Sequence, residues 1–459
     1  MAVDTKKISL VGSISLGTGV MIGAGIFALV GQVAGIVGPW FPLAFLIGAV
    51  VAGVSSYSYI RYSSVNPSSG GIAMLLKGAY GPGVIAGSFS LFMYVSMVVA
   101  ESLLARTFGT YLLRPFGLQD SPVLVPVLGI AAIVAATIVN LVGNRFVEGS
   151  ATTTAVLKIL GIAVLAVAGL IGAAASGGLF SSEGSGESSG LWGLLAGSTL
   201  GVLAYQGFTT ITNQGDDIRD PSRNLGRSIV LSILICTVLY LLITLSVDAS
   251  IGAEGAVDAR DYALAQAAEP LFGAWGVGIT VAIAVVATLS GLLASLYSVS
   301  RLYAMLQDMR QAPALPDRIP RQPLLITAGL AIVATAFLDL TQIASMGAFL
   351  YLTMDIAVQL GVIRHLRDEI DAKPWLPAIT IILDLAILVP FTIFKVQSDH
   401  GRDRRGGCGG DRPRPDHHGA CPLPSRRRLS TSPDARGKHG SRARATPWHR
   451  SGRWSIVTA

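Results

Sequence analysis

The sequence predicts an all-α protein that crosses a membrane about eleven times, and three observations lead to this fold class. Hydrophobic residues make up 51% of the 459 residues and charged residues only 13%, about half of their share in a soluble globular chain. Apolar segments close to the ~20 residues that a helix needs to cross a bilayer recur along the chain. The basic residues between these segments fall almost entirely on one side.

Eleven apolar segments, separated by polar breaks, are predicted as membrane-spanning helices. They cover residues 8–37, 40–61, 82–113, 123–142, 151–175, 192–213, 227–248, 274–300, 323–338, 341–363 and 375–394. When the segments alternate in direction, fifteen Lys and Arg residues lie on the side of the N-terminus and two, Arg114 and Arg260, on the other. This count leaves out Arg106 and Lys158, which fall within spans, and Lys395, which is terminal. Because cytoplasmic loops carry the excess of Lys and Arg, we expect a multi-pass protein of the cell membrane with a cytoplasmic N-terminus.

The formal net charge of +7 comes from the C-terminal segment 396–459. Residues 1–395 hold 20 basic and 22 acidic residues (−2), and residues 396–459 hold 14 and 5 (+9). This segment has no apolar period and contains no Phe or Tyr, so it cannot bury enough surface to fold. It is either a basic, low-order tail or, as we favour, an out-of-frame ending that begins after about Val396 and replaces a twelfth span.

Composition and motifs argue against several other classes of protein. The body has one cysteine, Cys236, and one histidine, His365, which leaves no disulfide framework and no clustered metal site there. The GAYGPG stretch at 78–83 lacks the Lys-Ser/Thr of a phosphate-binding loop. We therefore expect no enzyme activity, no metal and no cofactor. Since the positive charge belongs to the tail, it indicates no nucleic acid partner for the body.

A glycine cluster lies in the middle of the first span, in the stretch MIGAGIF at 21–27. Glycine is a poor helix residue, so one interpretation is that the helix opens there. The freed N–H groups and the positive end of the second half-helix would then bind an anion such as a carboxylate. The other interpretation is close helix packing, which small residues allow between membrane helices.

The sixth span carries a second interruption signal, in the stretch LAYQGFTTITN at 203–213. Its glycine, Gly207, is flanked by aromatic residues and followed by threonines, which alternatively bond to the backbone of an ordinary helix. Broken helices at positions one and six, five spans apart, are typical of an inverted repeat with the solute between them. We expect one transmembrane domain, 1–395, with repeats at about 8–175 and 192–363 and an extra helix at 375–394.

These motifs carry a resemblance to a known family. GTGVMIGAGIF, AYQGFTTITNQGDDIRDPSRNLGRSI and ASLYSVSRLYAM resemble the amino acid–polyamine–organocation transporters. Within that superfamily they are most similar to the cationic amino acid transporter branch and its archaeal, broad-specificity, proton-coupled member. The resemblance covers roughly residues 5–395. It implies a LeuT-like 5+5 inverted repeat with discontinuous helices 1 and 6, and secondary active uptake of amino acids with protons by alternating access.

The resemblance also implies which residues bind the substrate. Its carboxylate would meet backbone of the first span and its amino group would meet carbonyls at Gly19–Ile22 and in the sixth span, with Tyr205 or Phe208 as a gate. The expected substrate-binding residues are Ile22, Gly23, Ala24, Gly25, Ile26, Tyr205, Gln206, Gly207 and Phe208. Tyr94, Met97 and Ser290 are further candidates for the pocket lining.

Lys158 lies about seven residues into the fifth span, ~10 Å from its start. A charge within the hydrocarbon layer marks a functional site by default, although a lysine near a helix end can also reach back to the headgroups. By the resemblance, this lysine stands where sodium-coupled relatives hold a sodium ion. We expect Lys158 to approach the carbonyl of Gly19 and to couple a proton to transport. The resemblance also implies that Ser290 and Ser295 face this lysine.

Four more charged residues fall within predicted spans: Glu101, Arg106, Asp355 and Asp384. Each either lines a cavity or is satisfied by neighbouring helices, and Glu101 and Arg106 are close enough in sequence to pair. Two alternative functions also stay open. A polyamine transporter would require acidic residues beside the breaks, and neither motif contains one. An amino-acid sensor on the same fold would bind without net transport.

The gene itself tests the interpretation of the tail. We expect that a shifted reading frame after codon 396 encodes an apolar segment of about 20 residues, enough for a twelfth span. Sequencing the locus and translating all three frames is the measurement. If no shifted frame encodes such a segment, the basic tail is the native ending.

Overall fold

The structure, a computed structural model, describes residues 7–68, 70–142, 144–175, 190–313 and 321–406, with only the backbone described at 24, 144–152, 173, 175 and 398–406. These residues form thirteen α-helices. They are α1 (Leu10–Val37), α2 (Phe41–Val65), α3 (Gly71–Tyr80), α4 (Val84–Leu113), α5 (Leu124–Val142), α6 (Asn144–Ala175), α7 (Gly190–Tyr205), α8 (Thr209–Thr212), α9 (Pro221–Asp258), α10 (Ala263–Asp308), α11 (Gln322–Phe337), α12 (Leu340–Gly361) and α13 (Trp375–Gly406).

All eleven predicted spans coincide with helices, the sixth being divided between α7 and α8. Among the described residues, eight helical stretches are long and apolar enough to cross a membrane. One of these stretches contains both α1 and α2, while α7 and α11 have 16 residues each. The expected all-α, polytopic architecture is therefore confirmed, and most of these helices pack around α1 at the centre.

Two features lie outside the predicted spans. Helix α3, which falls between the second and third predicted spans, is ten residues long, about 15 Å and too short to cross a bilayer. Its apolar face packs against α4 and α12. Helix α13 continues to Gly406, so its backbone runs helically into the segment that was predicted to begin the low-order tail. Residues 407–459 lie outside the described residues.

Helices α9 and α10 extend beyond their predicted spans on the side where α1 ends. Each contains a glycine with a left-handed backbone conformation, Gly252 at φ 66° and Gly273 at φ 58°. Residues with a Cβ rarely adopt this conformation. The chain therefore turns at both glycines, and the segment between them packs on the end of α1, where the carbonyl of Arg260 lies against Gly31.

The expected break in α1 is wrong for this structure. The helix is continuous from Leu10 to Val37, through Gly23, Ala24 and Gly25, so its N–H groups are not freed for a carboxylate. Its glycines serve close packing instead. A Cβ on Gly23 would lie 2.9 Å from the carbonyl oxygen of Ala287, and a Cβ on Gly25 would collide with the hydroxyl of Tyr240.

Helices α2 and α7 also cross through glycines. A Cβ on Gly48 would lie 2.8 Å from the backbone nitrogen of Val202, and a Cβ on Gly201 would lie 2.6 Å from the carbonyl oxygen of Ala44. Real side chains essentially never come this close to backbone atoms. The crossing thus requires glycine on both helices, and it holds α7, which leads into the interrupted sixth span.

This crossing predicts opposite effects for two identical substitutions in α2. Gly48→Ala should lower the free energy of unfolding by about 1–3 kcal/mol because it overpacks the crossing. Gly53→Ala should be neutral or stabilise by up to about 1 kcal/mol, since a Cβ there meets nothing within 4 Å. Thermal unfolding of the purified proteins in detergent measures both. Equal shifts for the two variants would contradict the close crossing.

Candidate functional site

A buried cavity lies where α1, α4 and α10 face the interrupted sixth span. Its lining is mostly apolar, with polar groups from the sixth span and α10. The lining residues are Val20, Met21, Met97, Ala100, Leu103, Leu203, Ala204, Gln206, Gly207, Thr210 and Ser295. The cavity measures about 20 Å³, enough space for about one water molecule. An organic solute can therefore enter only when the wall moves.

The interruption of the sixth span lies at this cavity, as the sequence predicts. Helix α7 ends at Tyr205, residues Gln206–Phe208 form a single 3₁₀ turn, and α8 begins at Thr209. The hydroxyl of Thr209 donates to the carbonyl of Gln206 at 2.8 Å, and the hydroxyl of Thr210 donates to the carbonyl of Gly207 at 2.7 Å. These bonds satisfy backbone groups that lipid cannot satisfy.

Gly207 brings the turn into contact with α1. A Cβ at this position would lie 2.7 Å from both the backbone nitrogen and the Cγ of Met21. Met21 and Gly207 both line the cavity. The cavity wall thus consists of one continuous helix and one interrupted helix in direct backbone contact.

Tyr240 of α9 connects these two helices, and the sequence analysis did not identify it. Its hydroxyl donates to the carbonyl of Met21 at 2.6 Å, with the carbonyl of Ala204 at 3.2 Å as a second acceptor. Gly25 lies one turn after Met21, and its missing side chain leaves the space for this hydroxyl. A tyrosine within the aliphatic stretch LYLLITL is the signal that was available, because a buried hydroxyl requires an acceptor.

Gln206 presents an unused acceptor at the cavity. Its amide nitrogen donates to the hydroxyl of Ser96 at 2.9 Å, and Ser96 donates to the carbonyl of Gly347 at 2.8 Å. Its Oε1 is buried and has no hydrogen-bond partner among the described residues. An unsatisfied buried acceptor costs free energy, so this oxygen can receive an N–H donor from a bound solute.

Lys158 of α6 reaches the same stretch of α1 from another side. Its Nζ lies 3.3 Å from the carbonyl oxygen of Gly19 and 2.8 Å from the Oγ of Ser290 on α10. The residue is 1% exposed. Gly19 immediately precedes the cavity-lining residues Val20 and Met21, so the lysine contacts the backbone that forms the cavity wall.

The other expected binding residues have different surroundings. Ile22, Gly23, Gly25 and Ile26 belong to α1 but do not line this cavity, and the side chain of Ala24 is outside the described residues. Their backbone is wound into the helix. Of the pocket candidates, Met97 lines the cavity, whereas Tyr94 does not and shares a hydrogen bond with Thr327 at 3.1 Å.

The two expected gate residues also point elsewhere. Tyr205 packs against the ring of Tyr240, with 5.0 Å between ring centroids, and Phe208 packs edge-on against Tyr59 at 5.6 Å. Both are fully buried and neither lines the cavity. Their rings stabilise the sixth span from outside the cavity in this conformation.

Glu101 is fully buried behind the cavity and is not paired with Arg106. Ser295, a lining residue, donates to Glu101 at 3.3 Å, while Arg106 donates to the carbonyl of Thr335 at 2.9 Å. Ser295, which the resemblance places beside Lys158, contacts Glu101 instead. The hydroxyl of this serine thus links the cavity lining to the carboxyl group of Glu101.

The end of the bundle at which α1 begins is closed by an ion pair. Arg301 of α10 lies 2.5 Å from Asp217, which follows the sixth span. Next to Asp217, the chain before α1 is attached by backbone hydrogen bonds, from the N–H of Ile8 to Asp217 at 2.7 Å and from the N–H of Arg219 to Ile8 at 2.9 Å. The acidic loop after the sixth span is thus bonded to two other parts of the bundle.

The opposite end is closed by a hydrogen-bonded group of polar side chains. Gln32 of α1 donates to Asp261 at 2.6 Å and accepts from Thr341 at 2.9 Å, and Arg260 donates to Thr341 at 2.6 Å. Burial raises the pKa of Asp261, and the hydrogen bond from Gln32 partly offsets this effect. Polar contacts therefore hold the bundle together at both ends.

Among the described residues, no group of three or more His, Cys, Asp or Glu side chains could hold a metal ion. The polar groups at the cavity are amide, hydroxyl and backbone groups. This arrangement suits an organic solute with its own hydrogen-bonding ends rather than a bare metal ion.

The fold and the site are those of a membrane transporter. The family model for amino acid permeases matches residues 8–402, and the chain belongs to this family. It is 31% identical over 404 residues to the inner membrane transport protein YbaT of Escherichia coli, covering 86% of this chain and 92% of that protein. It is 28% identical over 395 residues to the vacuolar cationic amino acid transporter 4 of Arabidopsis thaliana, covering 79% and 64%.

Solved structures support the LeuT-like fold. The manganese transporter of Eremococcus coleocola matches with a TM-score of 0.57 at 12% identity, covering 87% of this chain and 89% of that one. Mhp1, a nucleobase-cation-symport-1 family transporter in a closed conformation with bromovinylhydantoin bound, matches with a TM-score of 0.55 at 11% identity, covering 86% and 94%. At these identities the likeness concerns the fold alone.

The unused acceptor of Gln206 gives a direct test of the cavity. Gln206→Leu should raise the Kd for an amino acid about tenfold or more, because a hydrogen bond to a charged group contributes about 1.5–3 kcal/mol. Equilibrium binding to the purified protein is the measurement. Gln311→Leu is the matched control, since Gln311 donates to Gly83 away from the cavity lining. An unchanged Kd for Gln206→Leu would exclude this residue from the site.

Proposed function

We propose that this protein is a proton-coupled transporter that moves amino acids into the cell by alternating access. Membership of the amino acid permease family supports the transporter class. The single observation that carries the coupling is the contact of Lys158 with Gly19, beside the cavity.

The cavity favours a neutral amino acid over a polyamine. Its polar groups are concentrated at the 3₁₀ turn Gln206–Phe208 and at Ser295, where the amino and carboxyl groups of a substrate would bind. Met97, Leu103 and Leu203 provide an apolar wall for its side chain. A polyamine would require acidic side chains in the lining, and among the described residues none lines this cavity.

The surroundings of Lys158 favour reversible protonation of its amine. Its nitrogen has two acceptors among the described residues, Gly19 and Ser290, and neither is charged. A neutral amine has two N–H donors, whereas an ammonium has three. Burial without a counter-charge destabilises the ammonium, and a third acceptor or a solvated path would stabilise it.

The position of the lysine links this proton to the substrate. Lys158 contacts Gly19, and the next two residues of α1 form part of the cavity wall. A change in the charge of the lysine changes its hydrogen bonds to α1 and α10 together. Each proton transfer therefore biases the packing of the wall, which must move before a substrate fits.

The charge asymmetry of the loops supports the orientation of the protein, and the proton gradient sets the direction of transport. Fifteen basic residues lie on the side of the N-terminus, which favours a cytoplasmic N-terminus. In a cell that maintains an inward proton gradient, coupling through Lys158 drives uptake. The plasma membrane is the expected location.

We expect Lys158→Ala to abolish the dependence of uptake on the proton gradient. In proteoliposomes, wild-type uptake of a labelled neutral amino acid should rise when the external side is acidified. The alanine variant should still exchange substrate across the membrane but should not respond to the gradient, because the protonatable amine is gone. Initial rates of uptake and of counterflow are the measurements.

Lys373→Ala is the matched control, because Lys373 is exposed in the connection before α13 and should leave the response intact. Uptake by Lys158→Ala that stays fully driven by the proton gradient would overturn the coupling. Wild-type protein that binds amino acids without any uptake would favour a sensor, and preferential uptake of a polyamine would overturn the substrate class.

A further inference from the structure

Asp355 of α12 and Asp384 of α13 form a carboxyl pair inside the membrane-spanning part of the protein. They are 1% and 0% exposed and lie close enough for a hydrogen bond between the two carboxyl groups. An ionisable residue within a membrane span is costly and marks a functional site by default. Neither residue lines the transport cavity, so the proposed transport mechanism does not account for them.

The two carboxyl groups have very different surroundings. Asp355 accepts hydrogen bonds from Ser55 at 2.6 Å, from Tyr59 at 2.6 Å and from Gln359 at 3.1 Å. Hydrogen bonds of this kind stabilise the ionised form of a carboxyl group. Neither oxygen of Asp384 has a partner of that kind among the described residues.

Among the described side chains of the helices around the pair, none brings a positive charge to it. The arginine of α2, Arg61, forms an ion pair with Asp371 and not with this carboxyl pair. Helix α12 contains no Lys or Arg. Along the described side chains of α13, the basic residue is Lys395, placed over the ring of Phe391 at 5.8 Å. Helix α7, which donates from Thr199 to α13, carries no Lys, Arg, Asp or Glu.

The remaining titratable groups that face the pair are the phenols of Tyr59 and Tyr351. Neither is a cation that could neutralise two carboxylates. Two buried carboxylates in contact cannot both be ionised without a counter-ion, so they must share a proton. The donors around Asp355 and their absence around Asp384 decide where this proton resides.

We propose that Asp355 and Asp384 form a proton-binding site, in which Asp384 holds the proton and donates it in a hydrogen bond to the carboxylate of Asp355. One proton is bound and the pair carries a single negative charge, which Ser55, Tyr59 and Gln359 stabilise. The site joins the extra helix α13 to α12 and α2. Loss of the proton places two negative charges side by side and loosens α13 from the bundle.

Infrared spectroscopy tests this assignment directly. The purified protein at neutral pH should have a C=O stretching band of a protonated carboxylic acid that shifts on labelling with 4-¹³C-aspartate. Asp384→Asn should lose this band, because Asp355 remains ionised among its donors. Asp355→Asn should retain the band at a shifted position, because Asp384 keeps its proton in a buried site. The asymmetry between the two variants is the distinguishing result.

Two controls make the assignment specific. Asp371→Asn removes a fully exposed carboxylate from the connection between the same two helices and should leave the band unchanged. Lys158→Ala should also leave it unchanged, so the result is independent of the proposed coupling. An aspartic acid band that survives Asp384→Asn, or that is absent from the labelled wild type, overturns the proposal.

If a variant does not fold, the labelled wild-type protein alone still tests the proposal. Raising the pH should convert the labelled acid band into a carboxylate band as α13 loosens. A band that disappears when sodium is added at constant pH would indicate a cation site in place of a proton site and would overturn the proposal.

Discussion

The structure around the cavity depends on two backbone carbonyls of α1, each of which also accepts a hydrogen bond from a side chain of another helix. Those of Gly19 and Met21 lie within a continuous helix and also accept hydrogen bonds from Lys158 and Tyr240. Lipid offers no acceptors, so the buried donors of Lys158 and Tyr240 must find acceptors on another helix. The result is that α6 and α9 are both attached to α1 within three residues. Any motion of the cavity wall changes these attachments.

The sequence predicted the spans well because hydropathy and loop charge act locally. The interruption at Gly207 was also predictable, since a glycine followed by threonines marks a turn whose carbonyls can be satisfied within the same segment. The packing of α1 was not predictable. A glycine serves equally well for an open helix and for a close contact, and the contacting groups, Tyr240 and Ala287, are more than two hundred residues away in the chain.

The acidic residues show the same limit of prediction from sequence. Asp355 and Asp384 were recognisable as unusual charges in apolar spans, but their contact and the unequal donors around them exist only in the folded bundle. The lysine site uses α1, α6 and α10, whereas the carboxyl pair uses α2, α12 and α13. The two protonatable sites therefore share no helix, and their occupancies can vary independently unless the motion of the bundle couples them.

The polar contacts at the two ends of the bundle differ in their chemistry. Arg301 and Asp217 are each 29% exposed, so dissolved ions screen their attraction. The group formed by Gln32, Asp261, Arg260 and Thr341 consists mainly of directional hydrogen bonds, which ionic strength affects much less. Salt therefore weakens the contacts at one end of the bundle more than the contacts at the other end. Under the proposed alternating access, added salt favours opening at the end where Arg301 and Asp217 lie, without any contribution from the solute.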